Sequence, residues 1–257
     1  MTYQASMLQN ETITPESQLA GFLRVQDENE HALLFLPRFA GTVKLESAEP
    51  GPAPLRYPGH TFSERDTRAA LFVQALLGSV LHPSRIRLED ASGTDSDRID
   101  ALGSGSVFLF GSRSNPLTQW ALANRAPDKF FEFDFRNDWT IRTRDGKTFS
   151  TPDPSNLKQE EYRSHADYGV MARFFDPLAG MTFFILAGLG SRATEGCGQF
   201  LAGNWQVLSE EYEDQDFAVV LEFSPPVDAA NCVKVAQYSQ AARKKNEGQQ
   251  QLGLSSR

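Results

Sequence analysis

The sequence predicts an α/β fold: a Rossmann-like three-layer sandwich on a mixed, mostly parallel sheet with an inserted β-hairpin. Three observations carry this expectation. Short apolar runs (HALLFL, VFLF, MTFFIL, FAVVLEF) alternate with helical segments, the pattern of a parallel sheet covered on both faces. Two of these runs break at glycine-rich turns, GSRSNP (111–116) and AGLGSRATEG (187–196), each leading into a helix. Between them, KFFEFDFRNDWTIRTRDGKTFST (129–151) alternates apolar and polar residues and contains Asp145-Gly146, a strong hairpin signal.

The elements follow in order. Residues 1–18 are polar. GFLRV (21–25) and HALLFLPRF (31–39) read as strands, with Pro37 at an edge or a strand end. The stretch 46–60 carries four prolines and reads as a loop or linker. The expected division is therefore an N-terminal β element and linker (1–60), a Rossmann-like domain (61–240) and a disordered tail (241–257). Ser63 is a candidate N-cap, with Asp66 three residues on as a variant capping box. It starts a helix whose apolar face runs through 69, 72, 73, 76 and 80. RIRL (85–88) is a short strand, and EDASGTDSDRIDALGSGS (89–106) is a polar connection. VFLF is a strand, and Asn115-Pro116 caps and opens the next helix. After the hairpin region, residues 152–166 read as a loop. DYGVMARFFD and MTFFILAG are strands joined by a turn, one or two helices span 194–213, and FAVVLEF is a strand. NCVKVAQYSQ fits strand or helix.

The 257 residues are 40% apolar and 23% charged, ordinary for a soluble globular protein. The net charge of −8 comes without a basic stripe, which argues against duplex nucleic acid as the main partner. Two cysteines, Cys197 and Cys232, form no disulfide framework or zinc spacing. The N-terminal residues show no secretory signal, and the longest apolar run, around Met181–Leu189, has strand length. The expectation is a cytoplasmic protein without a membrane segment.

Both glycine turns fall at the carboxyl ends of expected parallel strands, where open α/β sheets bind ligands. Helix N-termini favour anions there, and glycines allow close backbone approach. The candidate ligand-binding residues are Gly111, Ser112, Arg113, Ser114 and Asn115 on the first turn. On the second they are Gly188, Gly190, Ser191, Arg192 and Thr194. The arginines would supply forked donors to a phosphate or carboxylate. The competing reading is that the glycines only permit tight packing, Thr194 caps its helix and the arginines are solvated. Neither turn is a P-loop or a dinucleotide fingerprint. Glu195 and Asp167 are the candidate catalytic acids, because cleavage of an N-glycosidic bond needs a carboxylate near the developing oxocarbenium ion. Cys197 with His165 is a lesser candidate for nucleophile and base, and Trp120, Trp139 and Trp205 read as packing residues. No metal site is indicated, and the sequence specifies no cofactor.

VFLFGSRSNP, DYGVMARFFDP and FFILAGLGSRATEGCGQFL together resemble a poorly characterised bacterial Rossmann-like module. In it a GSPxxN turn precedes a D-Y-G strand and an A-G…G-T…A turn. The resemblance covers about residues 60–210. It falls on Gly111, Ser112, Arg113 and Asn115, on Asp167, Tyr168 and Gly169, and on Ala187, Gly188 and Thr194. Ala193 stands where the module has a glycine before Thr194, and Ser112 replaces one of its paired glycines. The resemblance implies the fold and a sensor-like or protein-interaction role, and no catalytic residues. With the two turns, the leading reading is a binding module of a signalling assembly that recognises a small anionic, nucleotide-like ligand or a partner protein. That partner is a separately encoded chain or a second copy. The alternatives are a nucleoside- or NAD-directed hydrolase or transferase using Glu195, and a structural subunit without ligand.

Overall fold

The computed structural model describes residues 14–26, 29–40, 60–91, 99, 105–126, 130–136, 139–153, 159–225 and 231–241. It is an α/β structure around a mixed seven-stranded sheet. The strands are β1 (His31–Leu36), β4 (Ile86–Asp90), β5 (Gly105–Phe110), β9 (Asp167–Asp176), β10 (Met181–Gly188), β11 (Asp216–Phe223) and β12 (Cys232–Gln240). Their order is β12-β11-β9-β10-β5-β1-β4. Pairings among β4, β1, β5 and β10 are parallel, whereas β10–β9, β9–β11 and β11–β12 are antiparallel. The sheet is thus parallel in one half only, short of the mostly parallel sheet expected. The difference arises because β9 and β10 form a hairpin through the turn at Gly180 (φ +68°).

Side-chain alternation sorts two cores onto opposite faces. On one face Leu34, Phe108, Phe184 and Val219 pack under α1 (Pro15–Leu23), α2 (Glu64–Leu77) and the long α5 (Ser191–Tyr212). On the other, Leu33, Leu109, Ile185 and Val220 pack under α3 (Pro116–Asn124) and a three-stranded meander. That meander comprises β6 (Phe131–Asp134), β7 (Trp139–Thr143) and β8 (Thr148–Thr151), and the hairpin expected at Asp145-Gly146 joins β7 to β8. All eight residues of β10 are buried, as a strand covered on both faces requires.

Several expectations need correction. GFLRV is not a strand. Leu19, Phe22 and Leu23 are buried on one side of α1, which is capped by Thr14 and ends where Arg24 adopts a left-handed conformation (φ 55°). β1 lies inside the main sheet between β4 and β5, so residues 31–36 belong to the same body as the domain expected from 61 onward. The proline-rich stretch 46–59 and the tail 242–257 lie outside the described residues. A short helix, α4 (Gln159–Ser164), falls in the expected loop, and NCVKVAQYSQ resolves as β12. The remaining short strands, β2 (Arg38–Ala40) and β3 (His60–Phe62), pair with each other.

Two glycines let α5 approach its neighbours. A Cβ on Gly198 would stand 2.7 Å from the Ala69 backbone of α2, and one on Gly196 would collide with the Phe223 ring. Glycine weakens a helix by about 1 kcal/mol relative to alanine, a cost that the close packing at Gly196 and Gly198 requires. Gly203, on the exposed side of α5, meets nothing within 4 Å. Gly198→Ala should therefore destabilise the fold by about 1–3 kcal/mol through overpacking. Gly203→Ala should stabilise it by about 0.5–1 kcal/mol. Urea denaturation of both variants checks this, and equal effects at the two positions would contradict the packing account.

Candidate functional site

The two glycine turns meet. β5 and β10 are parallel neighbours, so the loops after them leave the same sheet edge. A cavity of about 460 Å³ opens between those loops and the first turn of α2. The chain after β1 leads to α2 on one face, and the chain after β5 leads to α3 on the other. Diverging connections of this kind leave a crevice at the carboxyl ends of the strands. Gly111, Ser112, Arg113 and Ser114 line it from the first turn; Gly188, Leu189, Gly190 and Ser191 line it from the second, with Thr194 behind them. Ser63, Asp66 and Trp139 complete the wall.

Local bonding shows which of these groups build the turns and which face the cavity. The Ser112 hydroxyl donates to the Gly188 carbonyl at 2.5 Å, tying one turn to the other. Gly111 has φ +85°, and its N–H donates to the Leu186 carbonyl; that backbone conformation favours glycine. The Thr194 hydroxyl accepts from the Gly188 N–H at 2.9 Å. A Cβ on Gly188 would collide with the Gly190 carbonyl oxygen. Gly188 and Thr194 thus build the turn itself. Ser114 and Ser191 line the cavity from more open positions, and Arg113 is exposed, with its guanidinium 5.5 Å from the centre of the Trp139 ring.

Four of the expected site residues have other roles. Asn115 is fully buried; its amide donates to the Phe110 and Phe35 carbonyls, and its oxygen accepts from the Leu117 and Thr118 N–H groups. It is an N-cap that also joins α3 to β1. Arg192 lies one residue past Ser191, and the helical rotation of about 100° per residue turns it away from the cavity. It is buried and donates to the His165 carbonyl. Asp167, fully buried at the start of β9, accepts from the N–H groups of Gly190 and Ala193 at 3.0 and 3.2 Å. This carboxylate caps α5 from another element and offsets the positive end of its dipole. Glu195 is ion-paired with Arg65 and with Arg68 of α2 and does not line the cavity. Of the lesser pair, Cys197 is fully buried, and burial pushes its thiol well above the usual range, the reverse of an activated nucleophile.

Asp66 is the site residue that sequence reasoning misses. It is 3% exposed, yet it lines the cavity. Burial raises its carboxyl to about 6, offset in part by a hydrogen bond from Ser63. One signal for it is present in the sequence: position 66 falls on the stripe that continues through the buried Ala69, Ala70, Val73 and Leu77, where an acid is out of place. Trp139 gives no such signal, because its β7 neighbour Ile141 makes it look like core. Among the described residues no cluster of three or more His, Cys, Asp or Glu could hold a metal, and no helix is long and apolar enough to cross a membrane. In comparisons with protein-family models, curated proteins and solved structures, nothing matches this chain.

Two outcomes follow. Asp167→Ala strands the Gly190 and Ala193 donors and should cost about 2–4 kcal/mol, measured by urea denaturation; a loss below about 1 kcal/mol would show that α5 does not need this cap. Asp66 has a folded-state pKa above its unfolded value of 3.8. Its contribution to stability is therefore full below about pH 4 and is lost as pH rises through about 6. A two-unit rise corresponds to about 3 kcal/mol. Asp66→Asn should match the wild type near pH 4 and exceed it by about 1–3 kcal/mol at pH 8. A difference independent of pH would refute the assignment.

Proposed function

We propose that this chain is a binding module that takes a small anionic, nucleotide-like ligand in the cavity between the two turns. One observation carries the reading: the two glycine turns open on one cavity that also contains an exposed arginine and an aromatic ring. Arg113 supplies the cation, and the Trp139 ring beneath its guanidinium gives the cavity an aromatic wall. Anion recognition falls to Arg113 and not to the α5 N-terminus, because Asp167 already occupies two of that helix's donors. The finer description of the fold as a Rossmann-like three-layer sandwich belongs to the same proposal: helices cover one face, and α3 with the meander covers the other. A cytoplasmic signalling role with a separately encoded partner or a second copy is consistent with such a module. A hydrolase built on Glu195 draws no support, since its carboxylate is held by two arginines outside the cavity lining.

Thermal-shift assays against nucleotides, cyclic nucleotides and dinucleotides, with chromatography of the recovered ligand, test the reading. A ligand at a hundredfold its Kd stabilises the fold by about 2.7 kcal/mol, several degrees at this chain length. The expected result is a shift with intact ligand that is lost in Arg113→Ala. Cleaved ligand would favour an enzyme, and no shift across the panel would overturn the proposal.

A further inference from the structure

We propose that the cavity holds its ligand in one polarity, with the cis-hydroxyl pair of a ribose against Asp66 and the phosphate on the Arg113 side. This rests on the reading of the cavity as a nucleotide site. Among the described residues lining the cavity, Asp66 is the one anion and Arg113 the one cation. An ionised carboxylate only accepts hydrogen bonds, so a phosphate placed against it meets repulsion and lost hydration. A vicinal diol brings two donors and no charge. It suits a carboxylate, whose two oxygens keep acceptor capacity beyond the bond from Ser63.

The wall beside Asp66 pairs its carboxylate with a hydroxyl. Gly111 lines the cavity without a side chain, and a Cβ there would lie 3.2 Å from the Ser114 hydroxyl and 3.5 Å from Asp66 Oδ2. The glycine therefore lets the carboxylate and the hydroxyl come close together in the wall. That pairing fits a sugar edge, which offers both donors and acceptors. Ser114 is adjacent to Arg113 in the loop after β5, so the sugar subsite adjoins the phosphate side.

Calorimetric titration of the full chain at pH 8 tests the polarity, with the four ribonucleoside 5′-triphosphates and their 2′,3′-dideoxy analogues as probes. A charge-assisted hydrogen bond is worth about tenfold in affinity or more. At least one ribonucleotide should therefore bind about tenfold tighter than its dideoxy analogue. Asp66→Asn, with its fold checked by circular dichroism, should reduce that ratio to below about threefold while still binding the dideoxy form. Equal affinities in the wild type would overturn the diol assignment and leave the nucleotide reading intact. A ratio that survives in Asp66→Asn would also overturn it. Failure of every probe to bind would overturn both.

Discussion

The geometry of the site depends on the buried carboxylate of Asp167. It stands at the start of β9 and reaches across the sheet edge to the N–H groups of Gly190 and Ala193. Gly190, the N-cap residue of α5, has no side chain with which to cap the helix, so the cap has to come from elsewhere. Because β9 and β10 pair antiparallel, Gly169 lies opposite Gly188, and the start of β9 comes beside the turn that ends β10. The Leu189 N–H bonds to the Tyr168 carbonyl at the same place. The second turn is thereby held from three directions: by Asp167, by Thr194, and by Ser112 from the first turn.

This arrangement changes the electrostatics of the cavity. A free helix N-terminus attracts anions, but here a carboxylate from the protein already fills that role at α5. Among the described residues, what remains is a cavity with one exposed guanidinium at one side and a buried acid at another. Asp66 costs stability at neutral pH, since a raised folded-state pKa means that the fold favours its neutral form. A carboxyl buried in a cavity wall at such a cost supports the proposed binding role. An apolar residue at the same position would suit the stripe of α2 better.

Much of this is legible in the sequence. The two turns can be found because glycine, serine and an Asn-Pro cap mark a strand-to-helix junction locally, and because parallel neighbours bring their carboxyl ends together. Side-chain direction is not legible. Ser191 and Arg192 are adjacent, yet helical phase sends one to the cavity and the other to a backbone carbonyl. Glu195 is one turn further on, and its fate depends on Arg65 and Arg68, whose nearness follows only from the packing of α2 on α5. GFLRV misleads because a stretch of five residues has no resolvable period. Its helical partner Leu19 lies just outside that run, and only with it does the buried side of α1 emerge.

The close contact of α2 with α5 joins these points. Gly198 against Ala69 brings the two helices together, and the ion pairs of Glu195 with Arg65 and Arg68 close over the same contact. Asp66 follows Arg65 and precedes the stripe residue Ala69 by one helical turn, so the helix phase that offers the arginines to Glu195 turns the acid inward. The glycine that permits the helices to touch therefore also fixes the helix whose first turn carries the acid of the cavity wall.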